Sequence, residues 1–200
     1  MGGGKSGFAN NGTQVRKRHK VIADFENKVR YADKEHLLIT DINGNILDEV
    51  DGITDEVTSD KLKKEQLKDS ITSHNHPDII LPDGTKMEGN IFSPDDMTNS
   101  AKNKEYEWHA STSSMTYIIR RKNINSIGRG EALAKAYSKA WEKAENKMCN
   151  EVNKDITSGK VPDTESAFLR AVNERANTYM RKWLRNHVSR YGYQFEERKK

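Results

Sequence analysis

Ile71-Thr72-Ser73-His74-Asn75-His76-Pro77, followed after 15 intervening residues by Ser93-Pro94-Asp95-Asp96, is the stretch on which the fold turns. The first segment reads as a short strand that Pro77 brings to a stop, because proline has no N–H to give to a ladder. The second carries the marks of a helix start: a Ser N-cap, Pro at the first helical position and acids in the first turn. Strand and helix signals thus adjoin in one stretch, and the expected class is α/β.

The same stretch carries chemistry. A strand sends residues i and i+2 to one face, so His74 and His76 project together toward one point, as two ligands of one metal must. Asp96, in the first turn after Ser93, adds a carboxylate oxygen from a fixed position. Two imidazoles and a carboxylate leave the fourth tetrahedral position open, as in catalytic rather than structural zinc, and such a site polarises water for hydrolysis. The plainer alternative is a polar strand end entering a turn, followed by a merely capped helix. Zinc is inferred from ligand type and number, and iron, manganese or nickel suit the same donors.

Working outward, His36-Leu37-Leu38-Ile39-Thr40 and Ile46-Leu47-Asp48-Glu49-Val50 flank a turn containing Asn43-Gly44, a strong hairpin signal. Residues 78 to 86, with Asp83-Gly84 at the tip, read as a second hairpin inserted beside the histidines. Val15 to Tyr31 and Leu62 to Leu67 read as helices, and Met115 to Arg120 as a strand. From Gly130 the spacing changes to threes and fours: Leu133, Ala136, Tyr137, Ala140, Trp141, Ala144 and Met148, then Leu169, Val172, Ala176, Tyr179 and Trp183, which predicts two long helices.

Composition sets the outer bounds. Apolar residues are 34% of the 200, charged residues 32%, and the mean hydropathy is −0.95, so the core is expected to be modest. No run reaches the roughly 18 apolar residues of a membrane helix, and the N-terminus lacks the pattern of a secretory signal, so a soluble protein of the cytoplasm is expected, without a membrane partner. The single cysteine, Cys149, cannot form an internal disulfide and is expected to be structural. Residues 1 to 119 hold 15 Lys and Arg against 20 Asp and Glu, a balance of −5, whereas residues 120 to 200 hold 19 against 10, a balance of +9.

These shifts suggest three regions: a flexible, linker-like tail over 1–14, a metal-binding domain over 15–125 and a basic helical extension over 126–200. The tail suits a piece of a longer polypeptide. Its Gly4-Lys5-Ser6 ends like a Walker A motif but lacks the glycine, strand and helix that motif needs.

The order His74-Asn75-His76-Pro77, then Ser93-x-x-Asp96, resembles the JAMM motif of the JAB/MPN zinc isopeptidases, and is most similar to the bacterial RadC-like branch. Lys34-Glu35-His36-Leu37-Leu38-Ile39-Thr40-Asp41 resembles the opening hairpin of that branch, and the likeness covers about residues 25 to 122. It implies a mixed sheet with flanking helices of the cytidine-deaminase-like kind, with the helical region as an addition. It also implies a zinc-dependent hydrolase cleaving a peptide or isopeptide bond in a protein substrate. In that scheme His74, His76 and Asp96 hold the metal, Glu35 is the general base and Ser93 steadies the oxyanion. Glu49, on the paired strand, competes with Glu35 for the base. Domains of this pattern also occur attached to phage head proteins and to polymorphic toxins, which implies an effector delivered from elsewhere as one context. One departure is the 15-residue separation between Pro77 and Ser93, where the family usually has a short turn.

The alternative function is a nucleic-acid-binding or nucleolytic RadC-like protein that uses the same metal site, and it rests on the basic C-terminal region. Arg120-Arg121-Lys122, Arg181-Lys182, Arg185 and Arg190 are interleaved with Tyr179, Trp183, Tyr191 and Tyr193, as in a nucleic-acid footprint. Those aromatics also fall on the helical apolar stripe, which favours core packing. His109 is expected at the surface or partly buried, and His19, His36 and His187 need no special role.

Overall fold

In the computed structural model, residues 12–53, 57, 59, 61–124 and 129–200 are described; the expected tail therefore lies outside the described residues up to Asn11. Helix α1 (Gly12–Val29) buries Ile22, Phe25 and Val29, spaced so that they share one side. It leads to the hairpin of β1 (His36–Thr40) and β2 (Ile46–Asp51). Asp41 builds that turn: its carboxylate accepts the N–H groups of Asn43 and Asn45 at 2.8 and 2.9 Å. Gly44 sits there at φ +82, and a Cβ on it would lie 2.6 Å from the Arg18 backbone, so only glycine lets α1 cross the hairpin this closely.

A one-turn helix α2 (Lys64–Leu67), shorter than the expected Leu62–Leu67, precedes β3 (Ile71–Asn75), all five of whose residues are buried. The inserted hairpin follows as β4 (Ile79–Ile80) and β5 (Lys86–Met87), with Gly84 at φ +79 in its tip as Asp83-Gly84 predicts. Then come α3 (Pro94–Asn103), β6 (Glu107–Ser111), β7 (Met115–Arg121), the long helices α4 (Gly130–Thr157) and α5 (Glu165–His187), a 3-10 turn and β8 (Tyr193–Lys199).

Six strands form one mixed sheet in the order β2-β1-β3-β6-β7-β8. Only β3 and β6 run parallel, registered from Ile71 against Glu107 to Asn75 against Ser111, and α3 is the crossover between them. Helix α1 covers one face with Ile22, Phe25, Val29, Leu38 and Ile71. The other face is covered by α3, α4 and α5, where Trp108, Ile119, Leu133, Tyr137, Met180 and Leu184 are almost wholly buried. At roughly 1.5–3 kcal/mol for each large side chain taken from water, this second cluster is the main apolar contribution.

The 126–200 region thus supplies both a face of the core and an edge of the sheet: β8 pairs with β7 from Met115↔Lys199 to Arg121↔Tyr193. Among the described residues, no helix is long and apolar enough to cross a membrane.

Candidate metal centre

Open α/β sheets leave a crevice at the carboxyl ends of parallel strands, beside the start of the next helix. His74 and His76 lie at that end of β3, and α3 begins next to them. The strand proper ends at Asn75, but the His76 N–H still donates to the Ser111 carbonyl of β6 at 2.8 Å, which keeps the histidine on the line of the strand.

The α3 start is a capping box. The Ser93 hydroxyl accepts the Asp96 N–H at 3.0 Å, and an Asp96 carboxylate oxygen accepts the Ser93 N–H at 2.6 Å. The reciprocal bonds aim the carboxylate at the histidines. His74 Nε2 and His76 Nε2 are 2.9 Å apart, and each is 3.3 Å from an Asp96 oxygen. His74 faces Oδ1 and His76 faces Oδ2 of the one carboxylate, a grouping compact enough to hold a metal ion. His76 Nδ1 donates to the Asn90 carbonyl at 2.6 Å, which turns Nε2, the nitrogen that would ligate a metal once deprotonated, toward the common point. The donor atoms of His74, His76 and Asp96 all lie within 4.8 Å of one another.

Electrostatics match this geometry. Burial opposes the charged form of His76, but the Asp96 carboxylate at its edge pushes its pKa up to about 9. Burial likewise raises Asp96, yet the two imidazoles hold it well below the usual carboxylate range. The cluster behaves as a site built for positive charge.

Glu35 and Glu49 are separated by their partners. Glu35 Oε1 is 4.0 Å from His76 Nε2, with its side chain largely buried, whereas Glu49 pairs with Lys28 of α1 at 2.5 Å. What places Glu35 is Asn75: its amide donates to the Lys34 carbonyl at 2.9 Å and its oxygen accepts the His36 N–H at 2.7 Å. The residue between the two histidines thereby clasps the backbone on both sides of Glu35. A cavity of about 660 Å³ opens beside the cluster, with Glu35, His76, Ser93, Tyr31, Ile79 and Ile80 among its walls.

The inserted segment is fixed at both ends. Near its start, Asp78 accepts from Ser113 at 2.9 Å; near its return, Glu88 accepts the Ser114 N–H at 3.0 Å. A Cβ on Gly89 would come within 2.5 Å of the His76 carbonyl, so glycine lets the returning chain lie against the ligand strand. Ile91 and Phe92 are fully buried, and Tyr137 of α4 donates to the Phe92 carbonyl at 2.6 Å. These anchors fix the segment between Pro77 and Ser93 in place. Asn75, Gly89, Asn90 and Tyr137 were not legible as site residues from spacing, since their contacts are backbone ones across the chain.

His109 is elsewhere. It is 2% exposed, deeper than expected, and bridges Glu26 of α1 at 2.8 Å and Glu107 at 2.7 Å on the α1 face of the sheet. In the basic region, Arg120 pairs with Glu107, Arg121 with Asp69, and Arg181 and Arg185 with Glu197. Tyr193 is buried in the core, with Tyr179, Trp183 and Tyr191 packed against it. No family model, no curated protein and no solved structure matches this chain.

Proposed function

We propose that the protein is a zinc-dependent hydrolase of peptide or isopeptide bonds, built on a JAMM-like domain. The observation that carries this reading is the convergence of His74, His76 and Asp96 on one point with Glu35 beside it and a cavity leading to it. The chain order supports it too: hairpin with Glu35, strand with two histidines, helix start with Ser93 and Asp96.

Zinc held by His74, His76 and Asp96 would supply Lewis acidity for a scissile carbonyl and lower the pKa of water toward neutrality. The work of the chain's own residues is then proton handling and charge stabilisation. The Glu35 carboxylate takes the proton of the attacking water and delivers it to the departing amine. Ser93 accepts the Asp96 N–H through its oxygen, so its hydroxyl proton is left to donate to the oxygen that gains negative charge. The walls of Tyr31, Ile79 and Ile80 offer apolar contact to substrate side chains.

The test is metal content per chain in protein purified without added metal, beside the double substitution His74→Ala and His76→Ala. About one zinc per chain that vanishes in the double variant is expected; a wild-type chain without metal sinks the proposal. On a peptide or isopeptide substrate found by screening, Glu35→Gln should keep the metal and lose about 10²- to 10⁴-fold in turnover.

A further inference from the structure

We propose that Asn177, on α5, is a positioning residue for the metal centre: it sets the peptide plane whose carbonyl turns His76 Nε2 toward the metal. The inference rests on the metal reading above. His76 Nδ1 donates to the Asn90 carbonyl at 2.6 Å, and the N–H of that same peptide unit, on Ile91, donates to the Asn177 side-chain oxygen at 3.1 Å. A trans peptide points its C=O and N–H in opposite directions within one rigid plane. His76 and Asn177 therefore hold the two ends of one plane, and fixing the N–H fixes the carbonyl. The Asn177 amide adds a second hold, donating to the Asn90 side-chain oxygen at 3.1 Å. Both ends of the carboxamide are used, which locks its orientation.

Two further residues on the same side of α5, at spacings of four and seven, act on the hairpin tip instead. Ser166 accepts the Asp83 N–H at 3.0 Å, and Arg170 donates to the Lys86 carbonyl at 3.2 Å and to the Thr85 hydroxyl at 2.7 Å. One helix thus grips the insertion at its tip and at its return. Only the return reaches the metal ligand, and this separates a positioning role from a general packing one.

The experiment measures zinc affinity by competition with a chromophoric chelator, alongside the melting temperature of the metal-free chain, for wild type, Asn177→Ala, Asn177→Asp and Arg170→Ala. Asn177→Ala should weaken zinc by about 10- to 100-fold, the usual effect of removing a group that orients a ligand. Its metal-free melting temperature should match that of Arg170→Ala. Asn177→Asp keeps the acceptor for the Ile91 N–H and should retain most of the affinity; Arg170→Ala should bind zinc as wild type does. If the alanine variant does not fold, Asn177→Gln moves the acceptor by one methylene and should lose affinity in the same direction. Wild-type affinity in Asn177→Ala or Asn177→Gln overturns the inference, as does an equal loss in Arg170→Ala. A wild-type chain that takes up no zinc overturns the metal reading itself and is seen before any variant is compared.

Discussion

On the α1 face of the sheet, His109 stands between Glu26 and Glu107; on the α3 face, His74 and His76 stand around Asp96. Both arrangements bury imidazoles against carboxylates, and they do opposite things. Each nitrogen of His109 has its own acceptor, and the acids have further donors: Thr116 and Arg198 on Glu26, Arg120 on Glu107. Nothing there converges on a shared point. In the other cluster two ring nitrogens and two oxygens face one small volume, which the proposed metal would fill. The number of histidines and acids does not distinguish a metal centre from an ion-pair network; the direction of their lone pairs does.

This contrast breaks if the two faces depend on each other. The largest expected effect is on folding: His109→Leu takes from two buried carboxylates the cation they share, leaving Glu26 with Arg198 and Glu107 with Arg120, and should cost about 3–5 kcal/mol in urea unfolding. Zinc affinity should stay at its wild-type value, and a parallel loss of metal would show that the network supports the centre.

A smaller effect comes with pH. Burial lowers the pKa of His109, but its hydrogen bonds to Glu107 and Glu26 push it up from 6.5 to about 9. A raised pKa in the folded state contributes stability that is full below pH 6.5 and is lost as pH climbs through 9, roughly 3 kcal/mol in all. Glu26 and Glu107 are lowered, so their share is present above the carboxylate range and is lost in acid. The zinc-loaded protein is the one to use, because in the metal-free chain His76 is also raised to about 9 and adds a second titration. Between pH 6.5 and 8 stability should fall in the loaded wild type and stay level in His109→Leu, while above 8 Lys200, whose pKa burial lowers to about 8, adds an opposing rise in both; a wild type level below pH 8 removes the charged His109.

The smallest effect sharpens the role of Ser93. Ser93→Ala removes the cap acceptor of the Asp96 N–H and should cost about 1 kcal/mol of stability. The Asp96 carboxylate still accepts the Ser93 backbone N–H, so zinc should remain. Turnover falling by more than tenfold would mark the hydroxyl as an oxyanion donor; an unchanged turnover would leave it as a cap alone.

Local rules read one face of the sheet better than the other. His74, His76 and Asp96 were legible because strand alternation and helix capping are short-range, and the hairpins declared themselves through Asn43-Gly44 and Asp83-Gly84. Strands β6 and β8 were not expected. In β6 the interior positions on the α1 side are Glu107 and His109, whose charges are balanced by Glu26 and Arg120, so no apolar alternation shows. In β8, Tyr193 and Phe195 give way to Glu-Glu-Arg-Lys, and Glu197 is an interior partner for arginines of α5. The link from Asn177 to Asn90 spans 87 positions and has no periodic signature.

Glu26 in the first helix receives Arg198 from the last strand, 172 residues away. During synthesis, α1 leaves the ribosome carrying a carboxylate whose guanidinium partner has not yet been made. The three proposed metal donors emerge by residue 96, and the helix that steadies their loop emerges some 80 residues later. At about 5–20 residues per second that gap lasts seconds. A nascent chain therefore holds every proposed ligand well before it holds the scaffold that aims them, and tight binding of the proposed metal belongs to the end of folding, once the chain has closed on itself.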